Sequence, residues 1–577
     1  MMHERRRPPL LVMIVFFIAS SPLLAQTAAP SGEAAVDGVW QWSIPAPSIP
    51  DRRAFLWIPD HCKRVRGLVV ACQNMLEKPL FQRPAFRAAA AENDIGLLLI
   101  FSGHDKIGSD DKNPDHPKRS SLDIFLNPNF PKGAEDPKAA GADLQKLLDT
   151  FADLSGYSEL RYVPLMPVGH SSAGSFVWHL YRWDPSRIFA MMPFKTGAKD
   201  DGPEGIPVFE VNSEWFDYGN GSHRCWSPDG PPDGIVKARN HGKCLYGYYV
   251  DIGSGHCNVS DDSIAMISLF LKEAVAARIP RDAPLDGPVS LKPITADSGW
   301  MLAPATIGRP EGKAVPYAQW KQDPARGLWY LDQTLAAAVQ QHMLEQLSKK
   351  PQQMNFFKEG GAPSTDGGTY SFSPQYLEDG ESFRMRAAFI DQIQARSDLY
   401  PGEKLGHSDT PILYRVNSGA VVQVGPDTFR IRPHAGPIVP QGNPWEPTIV
   451  AYNLGDETYR PTERPAHVSV SIINTAGAAQ TLDFPAIPDQ STATTMPIDL
   501  SAKASSGLAV QYLVVSGPVE IAADGHSLTR LPMPPRAKYP VEVIVGAFQW
   551  GRAVAPQVKS VGPVMHSFWV RRPTPAQ

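Results

Sequence analysis

The chain is poor in cysteine, balanced in charge, and without a long apolar run beyond its first two dozen residues. Five cysteines in 577 residues are too few for a disulfide-stapled scaffold. The absence of any Cys-x-x-Cys pair argues against a zinc ribbon or a thioredoxin-type centre. Lysine and arginine total 55 against 59 acidic residues, for a net charge of −4. A dedicated nucleic-acid binder carries a basic excess, so no nucleic-acid partner is expected. No segment after the N-terminus approaches the ~18 apolar residues of a membrane span. No repeat of roughly 20–50 residues is evident, which excludes a solenoid or propeller reading. Proline is the residue in surplus: there are 57, about twice the usual share of ~5%. That favours loops, turns and edge strands over long helical bundles.

Residues 1–25 read as a secretory signal peptide. Arg5, Arg6 and Arg7 precede an apolar run from Leu10 to Ile18, and Ala25 offers a small residue for cleavage. The expected location is therefore secreted or periplasmic, with no membrane span after cleavage. Export permits disulfides. Cys225, Cys244 and Cys257 share one loop-rich stretch in which one bridge is expected, with its connectivity open.

From 26 to 285 short apolar runs alternate with helical patterns. Strands are expected at Arg53–Ile58, Gly67–Ala71, Ile95–Phe101, Arg161–Val168, Ile188–Pro193, Ile206–Val211 and Tyr248–Ile252. Helices are expected at Phe81–Glu92, Ala139–Leu154, Ala173–Trp183 and Ile264–Ala277. Continuous apolar strands between helices predict a mostly parallel α/β sheet with helices on both faces. Residues 104–135, rich in proline and charge, read as a surface excursion. Residues 286–410 read as a mixed α+β segment with one helix at Leu331–Leu347. From 411 to 577, β-branched runs punctuated by glycine and proline predict one or two β-sandwich-like modules.

The chemistry is concentrated in Pro167-Val168-Gly169-His170-Ser171-Ser172-Ala173-Gly174, between a strand and a helix. A nucleophilic serine in so tight a turn needs small residues at −2 and +2. Gly169 and Ala173 supply them around Ser171. Ser172 is the lesser candidate, because the bulky His170 would occupy its −2 position. A serine hydroxyl needs a base, and His256 follows the last strand in Gly253-Ser254-Gly255-His256, where flanking glycines would let the imidazole reach the nucleophile. The acid that orients the base belongs just after the Ile206–Val211 strand. Glu210 lies within that strand and reads as structural, leaving Asp217 and Glu214 as alternatives. An oxyanion hole needs two N–H donors. One is the backbone N–H of Ser172, and the second is expected near Asn74, for which a plain turn role is the alternative.

These residues carry a resemblance. Gly169-His170-Ser171-Ser172-Ala173, the Gly255-His256 loop and the order of elements between them resemble the α/β-hydrolase superfamily in its secreted serine esterase branch, over about residues 52–278. The resemblance implies an eight-stranded, mostly parallel sheet and acyl-enzyme chemistry with no cofactor and no metal. Pro84-Ala85-Phe86-Arg87 before a helix adds to it. His256-Cys257 is similar to tannases and feruloyl esterases, whose cysteines beside the serine and the histidine are bridged; here His170 precedes Ser171, so that bridge cannot form. The expected substrate is an ester, carbohydrate-linked or otherwise large, in view of export and the β-rich C-terminal part. A prolyl or dipeptidyl peptidase and a non-catalytic binding protein on the same scaffold are the alternatives. Met75, Phe81 and Trp178 are expected in the core, Asp110-Asp111 and Asp261-Asp262 as solvated charges rather than a cation site, and His104 at the active-site edge is a further candidate for substrate contact.

Overall fold

The computed structural model describes residues 39–46, 49–101, 137–196, 203–215, 233–239, 244–303, 312–357, 370–391, 404–432, 447–468, 473–493 and 497–573. The proposed signal peptide, the excursion with His104 and Asp110-Asp111, and Cys225 lie outside them. No helix among the described residues is long and apolar enough to cross a membrane.

The N-terminal sheet has eight strands: β1 (Trp42–Ala46), β2 (Ile49–Trp57), β3 (Gly67–Cys72), β4 (Ile95–Ile100), β5 (Leu165–His170), β6 (Met192–Phe194), β7 (Pro207–Ser213) and β8 (Leu245–Asp251). Their order is β1-β2-β4-β3-β5-β6-β7-β8. β2 runs antiparallel to both its neighbours, and every pair from β4 to β8 is parallel. Strands β3 to β8 are buried along their whole length, which is why their sequences read as apolar runs without alternation. Among the described residues, the helices that accompany them are α1 (Glu77–Gln82), α2 (Pro84–Glu92), α3 (Pro137–Ser155), α4 (Gly174–Trp183), α5 (Asp233–Arg239) and α6 (Asp261–Arg278). The single helix expected over Phe81–Glu92 is two. Pro84 offers no N–H and forces Arg83 into an extended conformation with ψ 123°, so the chain breaks there and restarts with proline in the first turn. Met75, Phe81 and Trp178 are core residues.

β4 and β5 flank β3 on opposite sides. The strand order therefore reverses at β3, and in open α/β sheets the crevice at the carboxyl ends of such strands receives ligands. The loop of Asn74 leaves β3 there, and Ser171 leaves β5.

Residues 286–410 do not form one unit. β9 (Trp300–Leu302), β10 (Val315–Pro316), β11 (Leu328–Tyr330) and α7 (Gln333–Leu347) pack on the β8 side of the sheet and share its core. The Tyr330 hydroxyl donates to the Tyr248 carbonyl at 2.7 Å, and Tyr249 meets His342 at 2.9 Å. The β-rich region also begins earlier than position 411, at Met354. Its first strands are only three residues long and show no alternation from which a boundary could be read.

That region is two sandwiches with one plan. The first holds β12 (Met354–Phe356), β13 (Tyr370–Phe372), β14 (Ser382–Arg384), β15 (Ala387–Phe389), β16 (Leu413–Ser418), β17 (Val421–Gln423), β18 (Thr428–Ile431), β19 (Thr448–Asn453) and β20 (Thr462–Val468). The second holds β21 (Leu482–Asp483), β22 (Gln490–Ser491), β23 (Ile498–Asp499), β24 (Lys503–Ala504), β25 (Gln511–Ser516), β26 (Val519–Ile521), β27 (Ser527–Arg530), β28 (Val541–Gln549) and β29 (Val561–Arg571). The four-stranded sheets are β13-β20-β19-β16 and β22-β29-β28-β25. The three-stranded sheets are β14-β18-β17 and β23-β27-β26, and the pairs are β12-β15 and β21-β24. β13–β20 and β22–β29 are both parallel. A bulge falls at Val416/Ser418 in one and at Val514/Ser516 in the other. The Tyr414 hydroxyl accepts from Ala387 N at 2.8 Å, and the Tyr512 hydroxyl accepts from Ala502 N at 2.8 Å. Tyr414, Val416, Ser418, Gly419 and Val421 are repeated as Tyr512, Val514, Ser516, Gly517 and Val519. Each sandwich is built around a small core, and Phe548 and Trp550 of the second extend into that of the first.

Candidate active site

The turn after β5 is tight. Ser171 has φ +53°, a left-handed conformation that costs a non-glycine residue about 1–3 kcal/mol and is tolerated where the surroundings over-determine it. A side chain at Gly169 would strike the Ala173 carbonyl, and one at Gly174 would strike Thr196. The small residue read from the sequence at Gly169 is thus required by contact, and Gly174 joins it. Ser171 and Ser172 are half-buried and open the short turn into α4, whose amino end carries partial positive charge.

His256 lies beside this turn. Its ring stands 4.7 Å, centroid to centroid, from that of His170, the residue before Ser171. His170 Nε2 also meets the His256 carbonyl at 3.0 Å. His256 is half-buried, whereas His170 is fully buried.

Lys195, one residue past β6, binds this loop, and no motif in the sequence pointed to it. It is buried, and its Nζ lies 3.2 Å from Asp251 Oδ2, 2.9 Å from Ser254 Oγ, 2.7 Å from the Gly255 carbonyl and 2.7 Å from the Asn258 carbonyl. Asp251 is buried as well, and its other oxygen accepts from Ser260 Oγ at 2.5 Å. Ser260 in turn caps α6 by accepting from Ser263 N. The strand end, the histidine loop and the next helix are joined through one ammonium.

Of the two acid candidates, Asp217 lies outside the described residues. Glu214 is fully buried and engaged on both oxygens: Oε2 accepts from Gly253 N at 2.7 Å, and Oε1 pairs with the Arg460 guanidinium of the first sandwich. Burial raises its carboxyl above the usual range, and Arg460 and the Gly253 N–H pull it back. Glu210 is tied inside the sheet to Asn212 and Tyr246. The loop after β7 runs beside the histidine loop: Trp215 N donates to the Ser254 carbonyl at 3.2 Å.

Asn74 is not positioned as expected for an oxyanion donor. Its backbone N–H donates to Glu77 Oε2 at 2.8 Å, and its side chain donates to the His170 carbonyl at 3.0 Å. Glu77 also accepts from Met75 N at 3.0 Å and from His170 N at 2.6 Å, so one buried carboxyl ties the loop after β3 to the end of β5. Burial pushes it up to about 7, against the pull of these N–H donors. The signal that reveals it is Asn74-Met75-Leu76-Glu77, a polar residue with glutamate three on, the reach-back half of a capping box. Glu77→Gln places an amide N–H₂ where an oxygen accepted, so a buried N–H is left unpaired. Urea unfolding should show a loss of about 1–3 kcal/mol; an unchanged midpoint would remove Glu77 from this role.

Asp261 pairs with Arg83, and Asp262 faces His342 at 3.9 Å. No group of three or more His, Cys, Asp or Glu among the described residues could hold a metal ion. Cys244 is a buried thiol, so a bridge through Cys244 is not formed.

An eight-stranded sheet in this order, with β2 reversed, a left-handed serine after β5 and a histidine after β8, settles the architecture. The fold is that of the α/β hydrolases. No protein-family model and no curated protein matches the chain. Among solved structures, the N-terminal domain is similar to the LpqC poly(3-hydroxybutyrate) depolymerase from Bordetella parapertussis, with 15% identity, 43% of this chain and 94% of that one covered, and a TM-score of 0.27. It is similar to an S-formylglutathione hydrolase from Agrobacterium tumefaciens at 10% identity, 41% and 92% coverage, and a TM-score of 0.28. Poly(aspartic acid) hydrolase-1 from Sphingomonas sp. KT-1 is similar at 12% identity, 38% and 91% coverage, and a TM-score of 0.25. At that distance the fold assignment stands on the strand order and the turn at Ser171.

Proposed function

We propose that the chain is a secreted or periplasmic serine hydrolase that cleaves carboxylic esters through an acyl-enzyme. The observation that carries this reading is Ser171 held at positive φ at the amino end of α4, with the loop of His256 against it. Ser171 Oγ attacks the ester carbonyl carbon and its proton passes to His256. The carbonyl oxygen becomes an oxyanion facing the Ser172 N–H and the amino end of α4. Collapse expels the alcohol, which takes the proton from His256. Water, deprotonated by His256, then releases the acid and restores Ser171. The engagement of both Glu214 oxygens favours Asp217, of the two candidates, as the carboxylate that orients His256.

Two sandwiches appended to an exported hydrolase favour a large ester, such as one linked to a polysaccharide, as the substrate. The wild-type protein should label with a fluorophosphonate probe and turn over p-nitrophenyl esters faster than peptide anilides. Absence of labelling would overturn the serine mechanism, and faster anilide cleavage would make the chain a peptidase.

A further inference from the structure

The two sandwiches present the same strand face to the hydrolase domain and do different things with it. In β25 of the second sandwich, Tyr512 and Val514 face its own core, while Leu513 and Val515 enter the hydrolase core. The contact is apolar and is extended by Gly517 N donating to the Trp40 carbonyl at 2.8 Å and by Ser516 and Ser43 hydroxyls 2.7 Å apart. In β16 of the first sandwich, the equivalents of Leu513 and Val515 are Arg415 and Asn417. Arg415 Nη2 donates to Asn258 Oδ1 at 3.0 Å and pairs with Glu463 Oε2, and Asn417 Nδ2 donates to the Cys257 carbonyl at 3.5 Å. Glu463 also accepts from Asn258 Nδ2, and its backbone N–H donates to the Gly253 carbonyl at 2.7 Å. Apart from the Arg415–Glu463 pair, which lies within the sandwich, these contacts fall on residues 253–258, the loop that carries His256.

The glycines of that loop have the same cause. A side chain at Gly253 would strike the Pro461 carbonyl, and one at Gly255 would lie 2.9 Å from the Pro465 ring. Gly253 is also held at φ +77°, and at both positions the close passage of β20 and the turn before it leaves no room for a side chain.

We infer that the first sandwich is a built-in wall of the catalytic centre, with Arg415, Asn417 and Glu463 as positioning residues for the His256 loop, while the second, of the same plan, only anchors. This rests on His256 being the base. The test gives the first sandwich the residues of the second, Arg415→Leu with Asn417→Val, in the full chain. Hydrogen exchange over 253–258 should accelerate at least tenfold, with the strands of the sheet unchanged. On a small p-nitrophenyl ester, kcat should fall by up to about 10²-fold, as a misplacement of ~1 Å can cost, with KM within about twofold of wild type. Arg415→Lys should recover part of kcat. A folded double variant with wild-type exchange and wild-type kcat overturns the inference. Should the double variant not fold, Glu463→Gln decides by the same exchange measurement, faster exchange supporting the inference and unchanged exchange overturning it. Wild-type protein without esterase activity would defeat the proposed function, yet the exchange arm would still report whether the first sandwich holds the loop.

Discussion

Ser171→Ala is expected to lower kcat/KM on a p-nitrophenyl ester by at least about 10⁴-fold, the scale on which members of a serine triad act as a unit. His256→Ala should cost a similar factor, and the double variant little more, because neither group works without the other. The folded state should barely change. Ser171 is half-buried, and alanine inherits the same strained backbone, so the melting midpoint should stay close to wild type. That separation of activity from stability is the diagnostic result. Ser171→Ala protein that still labels with a fluorophosphonate would move the nucleophile elsewhere, Ser172 first.

Lys195→Met should be the most destabilising single change near the site. The ammonium and Asp251 are both buried, and removing one partner of such a pair typically costs about 3–5 kcal/mol, because the other charge stays behind uncompensated. Ser254, Gly255 and Asn258 lose their shared donor at the same time. Urea unfolding measures the loss. Lys195→Met combined with Asp251→Asn should recover much of it, since a neutral pair carries no stranded charge. A single variant within about 1 kcal/mol of wild type would mean that the loop is held by the sandwich side alone.

What was legible in advance follows the range of the interactions involved. The turn at Ser171 could be read from eight residues, because its sterics act between neighbours: Gly169 must avoid the carbonyl of Ala173, four positions on. The buried strands could be read because each is apolar throughout. The glycines beside His256 were visible, but their cause was not, since Pro461 and Pro465 lie some two hundred positions away. Lys195 carried no signal in the sequence, because its partners come from a segment about sixty residues later. The repeat of the sandwiches escaped because its period is about 98 residues and identity concentrates in the short stretch after Tyr414 and Tyr512.

The sequence by itself determined an α/β domain with a serine in a strand-to-helix turn and a histidine after the last strand, because local sterics and hydrophobic patterning specify such features within one or two elements. Only the tertiary structure decided that the β-rich region is one plan used twice, that Glu214 is committed to Arg460, and that the histidine loop is gripped by Lys195 on one side and by Arg415, Asn417 and Glu463 on the other. The last two are pairings of polar groups across distant segments. Their partners are chosen by which chain packs against which, and no local pattern records that choice.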